Sequence, residues 1–368
     1  MPKSALVLFF SILFVTFSAP AALATEVTPQ AAQRKKISAQ PVAVKHKSKI
    51  IAGRGKAKKV IVVHKKNAKI VASSHRRKIA HKRVLTAPLA VAIPAKLTFG
   101  DMAGLGHTRD SLDLESNVAF VMDQATSAVL FEKNSRVPLP MASITKLMTA
   151  LVVLDSAQDM NEILEVTSED IDYEKNSSSR LKVGSQLSRT DMLHIALMSS
   201  ENRAASALGR SYPGGLKNFV KRMNEKARTI GMNNSTYVDS TGLSSRNVAS
   251  ARDLAKLVSA AYNYPIVRQY STDTSYIVEP GGRALQYSTS NRLVKNPEWD
   301  IGLQKTGYIS EAGRCLVMQA KIEGRPVVMV FLDSKGKLSR LGDAARIRKW
   351  LEASPPTFSG THALAEQS

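Results

Sequence analysis

The sequence predicts a mixed α/β (α+β) fold, an antiparallel sheet flanked by helices with an all-helical subdomain set between its strands. Three observations carry that expectation. Apolar runs of strand length open the folded part of the chain and return in its last third, a long middle stretch has helical spacing, and a further helical pattern closes the unit. That order favours one sheet whose strands come from both ends of the domain.

Each element follows from its local pattern. Residues 118–122 and 128–131 are β-prone runs around Asp123-Gln124-Ala125-Thr126-Ser127, which reads as the turn of a hairpin. From Ser143 the spacing becomes helical, with Leu147, Leu151 and Leu154 on one face. Residues 191–208 predict one helix, 217–230 another and 251–262 a third. Strands return at 275–278, 301–306, 314–322 and 327–332, and 343–352 predicts a last helix packed through Ile347 and Leu351. The single cysteine, Cys315, has no internal partner; within Cys315-Leu316-Val317-Met318 it reads as a buried strand residue.

Charge divides the chain further. The formal net charge is +22, yet 19 of the 52 basic residues fall between Val27 and Gly100, where there is no Asp or Glu. From Asp101 onward 32 basic residues face 29 acidic ones, a balance of only +3. The basic stretch has too few large apolar residues and too much like charge for a core, so it reads as a disordered arm. Its residues 34–96 could contact a polyanion such as a wall polymer or lipid headgroups. Nucleic acid is not expected, because no aromatic residue stands among these charges to stack on bases. Ahead of the arm, Lys3, an apolar run from Ala5 to Phe17 and Ala22-Leu23-Ala24 have the form of a secretory signal cleaved near Ala24. The expected organisation is a signal peptide (1–24), a basic arm (25–100), one folded unit (101–352) and a disordered tail (353–368), in an exported protein.

Three short motifs lie inside the folded unit. In Ser143-Ile144-Thr145-Lys146 the hydroxyl and amine stand one helical turn apart, within reach of each other. Serine is a weak nucleophile until a base takes its proton, and lysine serves as that base only when burial or a nearby cation lowers its pKa. Ser200-Glu201-Asn202 follows an apolar helical stretch; a hydroxyl there can relay a proton and an amide can hold a carbonyl. Lys305-Thr306-Gly307-Tyr308 ends a strand-like run, where main chain can pair with an extended peptide, Gly307 allows close approach and Lys305 offers charge to a carboxylate and to Lys146. Each motif alone is weak. His194 reads as a packing or capping residue. No His, Cys and carboxylate cluster has metal-ligand spacing, so neither metal nor cofactor is expected.

Together, S-x-x-K, S-x-N and K-T-G in this order are the signature of penicillin-binding proteins and class A β-lactamases. The chain resembles the low-molecular-mass penicillin-binding proteins, the D-Ala-D-Ala carboxypeptidase and endopeptidase family of serine peptidases, from about Val118 to Leu351. The likeness extends to Asp239-Ser240-Thr241-Gly242-Leu243 and to residues 305–316, the latter nearest the DD-endopeptidase branch, penicillin-binding protein 7. The resemblance implies a β-lactamase/transpeptidase-like fold. It implies that Ser143 forms an acyl-enzyme, Lys146 takes its proton, Ser200 relays protons and Asn202 orients substrate. It further implies that Lys305 and Thr306 meet a substrate carboxylate or carbonyl, and that the N–H groups of Ser143 and Tyr308 form an oxyanion hole. Arg340 is placed by counting back from Trp350 as the arginine that receives a substrate carboxylate. Glu201 departs from the small residue that many relatives carry.

The implied activity is hydrolysis of D-Ala-containing peptide crosslinks of peptidoglycan in the periplasm, during wall remodelling. Stem peptides are the implied partners and β-lactams the implied covalent inhibitors. The stretch 161–189 has no E-x-x-L-N segment of the kind that lets a β-lactamase turn penicillin over. Trimming of terminal D-Ala is the alternative within the family; relatives that do so usually continue into a β-rich domain and an anchoring helix, and this sequence stops soon after Glu352. A non-catalytic wall-binding scaffold working through the arm is the alternative outside it.

Overall fold

A computed structural model describes residues 96–353. The signal-like segment, the arm up to residue 95 and the tail from 354 lie outside the described residues. The fold begins slightly ahead of Asp101. Thr98 caps a short helix, α1 (Phe99–Met102), through a reciprocal pair of bonds with Asp101, and Phe99 N–H donates to the Glu311 carbonyl at 2.9 Å.

The strands β1 (Ser116–Asp123) and β2 (Val129–Lys133) form the expected hairpin, closed by Asp123 N–H on the Ala128 carbonyl. After the two-residue β3 (Leu139–Pro140) comes α2 (Thr145–Asp155), and the small pair β4 (Ile163–Glu165) and β5 (Gln186–Ser188) leads into α3 (Arg189–Met198). The predicted single helix over 191–208 is in fact two. Ser200 sits at φ +67°, a left-handed value that cannot continue a helix, so α3 ends and α4 (Asn202–Arg210) starts afresh with Glu201 as its cap. The helices α5 (Gly215–Thr229) and α6 (Ala251–Tyr262) match their patterns, with β6 (Val248–Ala249) between them pairing with β3. Pro265 at a first helical position opens α7 (Pro265–Thr272), which the sequence reading left unassigned. The strand β7 (Ser275–Val278) pairs with β8 (Leu285–Ser288), which, like α1 and the short strands β3 to β6, the sequence pattern does not predict.

Three ten-residue strands, β9 (Asp300–Ile309), β10 (Gly313–Ile322) and β11 (Arg325–Ser334), then precede α8 (Ser339–Ala353). The sheet is antiparallel in the order β2-β1-β11-β10-β9, so its two ends of sequence meet where β1 pairs with β11. Alternate residues divide between two cores, as period-two side chains must. Val118, Phe120, Val317, Val328 and Val330 join the main helical layer, while Ala119, Val121, Leu316, Met329 and Phe331 face Ala344, Ile347 and Leu351 of α8. Cys315 is buried on β10, and burial pushes its thiol up to about 12. With one edge of the sheet at β9, the helical layer stands beside a strand whose outer side can serve a cleft.

Candidate active site

The site is built around a strained turn. Ala142 lies at φ +49°, and the 3-10 turn Ala142–Ile144 carries Ser143 immediately before α2. Beneath it runs the loop from Asp239 to Ser244. The Asp239 carboxylate gathers the N–H groups of Thr241, Gly242 and Ser244 at 2.6, 2.6 and 3.1 Å, which fixes the loop's path. Gly242 has φ +82°, and a Cβ there would stand 1.9 Å from the Ala142 carbonyl oxygen, so only glycine lets loop and turn approach this closely. The loop thereby aims the Thr241 carbonyl into the site.

Lys146, one turn after Ser143, is wholly buried. Its Nζ lies 2.8 Å from Ser143 Oγ, 2.8 Å from Asn202 Oδ1 and 2.7 Å from the Thr241 carbonyl. Burial lowers its pKa to about 7, while the carboxylates of Asp239 and Glu201 pull in the opposite direction. A neutral amine has two N–H groups and one lone pair. Asn202 and Thr241 offer acceptors only, so they occupy the two N–H groups and turn the lone pair toward the Ser143 hydroxyl. This arrangement can take the proton of a serine as the oxygen attacks.

Lys305 on β9 donates to Ser200 Oγ at 2.9 Å and to the Thr306 carbonyl at 2.8 Å. It too is fully buried, and its pKa is held well below the lysine range by burial, then by Lys146 and Arg340. Of the two influences expected to lower Lys146, burial and a nearby cation, its own desolvation is the one that acts. Asn202 is oriented by its amide Nδ2 on Ser177 Oγ at 2.9 Å, and Thr306 Oγ1 donates to Ser290 Oγ at 2.7 Å. A Cβ on Gly307 would lie 3.0 Å from the Met141 carbonyl oxygen and 3.1 Å from Ser143 N. The close approach that Gly307 permits is therefore that of the β9 backbone to the turn that carries Ser143. Tyr308 follows it, exposed, with the Arg314 guanidinium 4.5 Å from its ring centroid.

Arg340 on α8 is buried, donates one N–H to the Lys337 carbonyl at 3.3 Å and leaves Nε without a protein partner. It has no carboxylate within ion-pair distance among the described residues and acts electrostatically on Lys305, so an anion between the two would relieve both. Glu201 has a structural reason that the sequence did not disclose. Its buried carboxylate caps α4 by accepting from Arg203 N–H at 3.3 Å, and accepts from Ser179 Oγ at 2.6 Å and Tyr287 OH at 3.2 Å, tying two other segments to the start of α4. Of the nine residues singled out from sequence, hydrogen bonds join Ser143, Lys146 and Asn202, and separately Ser200, Lys305 and Thr306, while Gly307 packs against the Ser143 turn; Tyr308 and Arg340 make no hydrogen bond to the others. Missing from that reading were Ser177, Ser290 and the carbonyl of Thr241. Of these only Thr241 left a trace, in the family-like stretch from Asp239 to Leu243.

His194 stands apart, stacked between Tyr270 and Tyr276 with ring centroids at 4.1 and 3.8 Å and Asp273 beside it. It is a packing residue. Among the described residues no group of His, Cys, Asp and Glu side chains is placed to hold a metal ion, and no helix is long and apolar enough to cross a membrane.

A family model described as D-alanyl-D-alanine carboxypeptidase matches residues 106–336. The chain is 47% identical over 247 residues to a D-alanyl-D-alanine endopeptidase of Pseudomonas aeruginosa, covering 67% of this chain and 80% of that protein. It is 42% identical over 269 residues to a D-alanyl-D-alanine endopeptidase of Escherichia coli, covering 72% and 84%. Among solved structures, the DD-transpeptidase of Streptomyces K15 superposes with a TM-score of 0.62 at 26% identity, over 67% of this chain and all of that one. Penicillin-binding protein D2 of Listeria monocytogenes, in its cefotaxime-bound form, gives 0.58 at 27% identity over 66% and 98%.

Proposed function

The chain belongs to the D-alanyl-D-alanine carboxypeptidase family of serine peptidases, and on that footing we propose that it is an exported DD-endopeptidase that cuts D-Ala-containing peptide crosslinks of peptidoglycan. The observation that carries the reading is the position of Lys146 Nζ, 2.8 Å from Ser143 Oγ and held by two acceptors. The endopeptidases of Pseudomonas aeruginosa and Escherichia coli, at 47% and 42% identity, favour crosslinks over terminal D-Ala as the substrate.

In this mechanism neutral Lys146 takes the Ser143 proton as Oγ bonds to the D-Ala carbonyl carbon. The oxygen that gains charge is received by the N–H groups of Ser143 and Tyr308. Collapse breaks the C–N bond, and the leaving amine gains a proton passed from Lys146 through Ser200, with Lys305 beside that hydroxyl. Water then attacks the acyl-enzyme, giving a proton back by the same route and freeing Ser143. Asn202 holds the substrate's backbone, while Lys305, Thr306 and Arg340 receive the carboxylate on the leaving residue. A β-lactam enters the same path and stays at the acyl-enzyme, blocking Ser143. In the periplasm the basic segment 34–96 adds attraction to anionic wall or membrane polymers.

The test is digestion of purified crosslinked peptidoglycan by the protein and by Ser143→Ala, with fragments resolved by mass. Crosslinked dimers fall to monomers only with the unaltered protein, and the variant loses about 10⁴-fold or more in rate. Loss of terminal D-Ala with dimers intact would overturn the crosslink reading in favour of a carboxypeptidase. The same result from both proteins would remove Ser143 from the chemistry.

A further inference from the structure

We propose that Arg180 forms a second carboxylate-binding subsite beside Ser200, which recognises a free carboxylate on the stem peptide other than the one on the leaving residue. A cleft of about 370 Å³ is lined by Ser200 and Asn202 together with Arg180 and Tyr287. The Arg180 guanidinium lies over the Tyr287 ring, 4.6 Å from its centroid, and one nitrogen donates to the Gln286 carbonyl. These contacts immobilise the group without neutralising it. Among the described residues no carboxylate stands within ion-pair distance of Arg180, whereas Arg189, Arg210 and Arg252 each have one.

The support for this wall is itself anchored. Tyr287 OH donates to Glu201, whose other oxygen receives Ser179 Oγ and Arg203 N–H. Glu201 also lines the cleft, but its carboxylate is buried and bonded to these internal donors, whereas Arg180 is exposed, so the accessible charge is the guanidinium. Ser178 and Ser288 also line the cleft, while the Ser199 hydroxyl is committed to the Ile195 carbonyl at 2.9 Å. A planar fork of N–H groups matches a carboxylate in a bidentate manner, and one already pinned loses little rotamer freedom on binding. The ligand class is an acidic peptide, and the inference rests on the peptidase reading above.

The experiment uses two synthetic crosslinked stem peptides that differ only in whether a side carboxylate is free or amidated; both keep the carboxylate of the leaving residue. With the unaltered protein the acidic peptide has the lower KM. Arg180→Gln raises its KM about tenfold, the scale of one charge-assisted contact, with kcat unchanged and with the amidated peptide unaffected. Arg180→Lys recovers part of the loss. Acylation of Ser143 by benzylpenicillin is followed alongside and stays at its original rate in both variants. Equal KM for the two peptides, an equal rise for both in Arg180→Gln, or loss of acylation in that variant would overturn the subsite. Failure of the unaltered protein to acylate would instead overturn the peptidase reading.

Discussion

Helices α2 and α5 pack against each other, yet they are stabilised by opposite means. Helix α5 buries one stripe, Phe219, Met223 and Ala227, and leaves Lys217, Lys221, Arg222 and Arg228 in water. Helix α2 has no such wet side, since every residue from Thr145 to Val153 is buried. On α5 a polar group is solvated without help. On α2 each one needs an internal partner: Thr145 has Asn247, Thr149 has the Ser240 carbonyl, and Lys146 has the Ser143 hydroxyl, Asn202 Oδ1 and the Thr241 carbonyl. Lys146 sits on the helix where a polar atom is most expensive to place, and that expense is what lowers its pKa to about 7.

The contrast is broken most strongly at Lys146. Lys146→Met keeps the bulk and removes the base, so kcat/KM on crosslinked peptide falls about 10³-fold, measured at pH 8. In the unaltered protein kcat/KM rises as pH increases through about 7, where Lys146 loses its proton. Stability carries the same sign. The folded pKa, about 7, lies below the ordinary 10.5, so the unfolded chain binds more protons between those values and stability rises with pH across them. Urea unfolding at pH 7 and pH 10 gives a flatter pH dependence for Lys146→Met than for the unaltered chain; parallel slopes would mean that the buried amine keeps an ordinary pKa.

A somewhat smaller effect tests the floor under α2. Gly242→Ala forces a side chain into left-handed backbone and against the Ala142 carbonyl oxygen, destabilising the fold by about 3 kcal/mol in urea titration and slowing acylation by benzylpenicillin. At the far end of the scale, Lys221→Ala on α5 removes an exposed charge 4.0 Å from Glu225 and changes stability by less than about 0.5 kcal/mol. A larger change there would mean that the wet face of α5 is not free of tertiary contact.

The same contrast explains what could be read in advance. The α5 and α6 patterns were legible because burial on one side writes a period into the sequence, and the strands of the sheet because their two faces meet different cores. The break at Ser200 was not, because the surrounding residues are all compatible with helix and only a left-handed dihedral divides them. Helix α7 and strand β8 escaped because they are short and lean on neighbours, as Tyr270 does on His194 and Tyr287 on Glu201. The nine candidate residues could be named from motif spacing and family likeness. Ser177, Ser290 and the Thr241 carbonyl were not, since any serine or main-chain oxygen can play such a part and only the fold selects which one does.

The pairing of β1 with β11 sets an order of events for the growing chain. Strand β1 finds its neighbour more than 200 residues later, Val118 opposite Leu332. Contacts of that separation form late and slowly, after the intervening segment has collapsed. Ser143 and Lys305 both fall within that interval, near its two ends, so a fragment clipped before β9 holds a serine and a lysine but no complete cleft. Hydrolytic capacity therefore arrives all at once, with the last strands of the sheet.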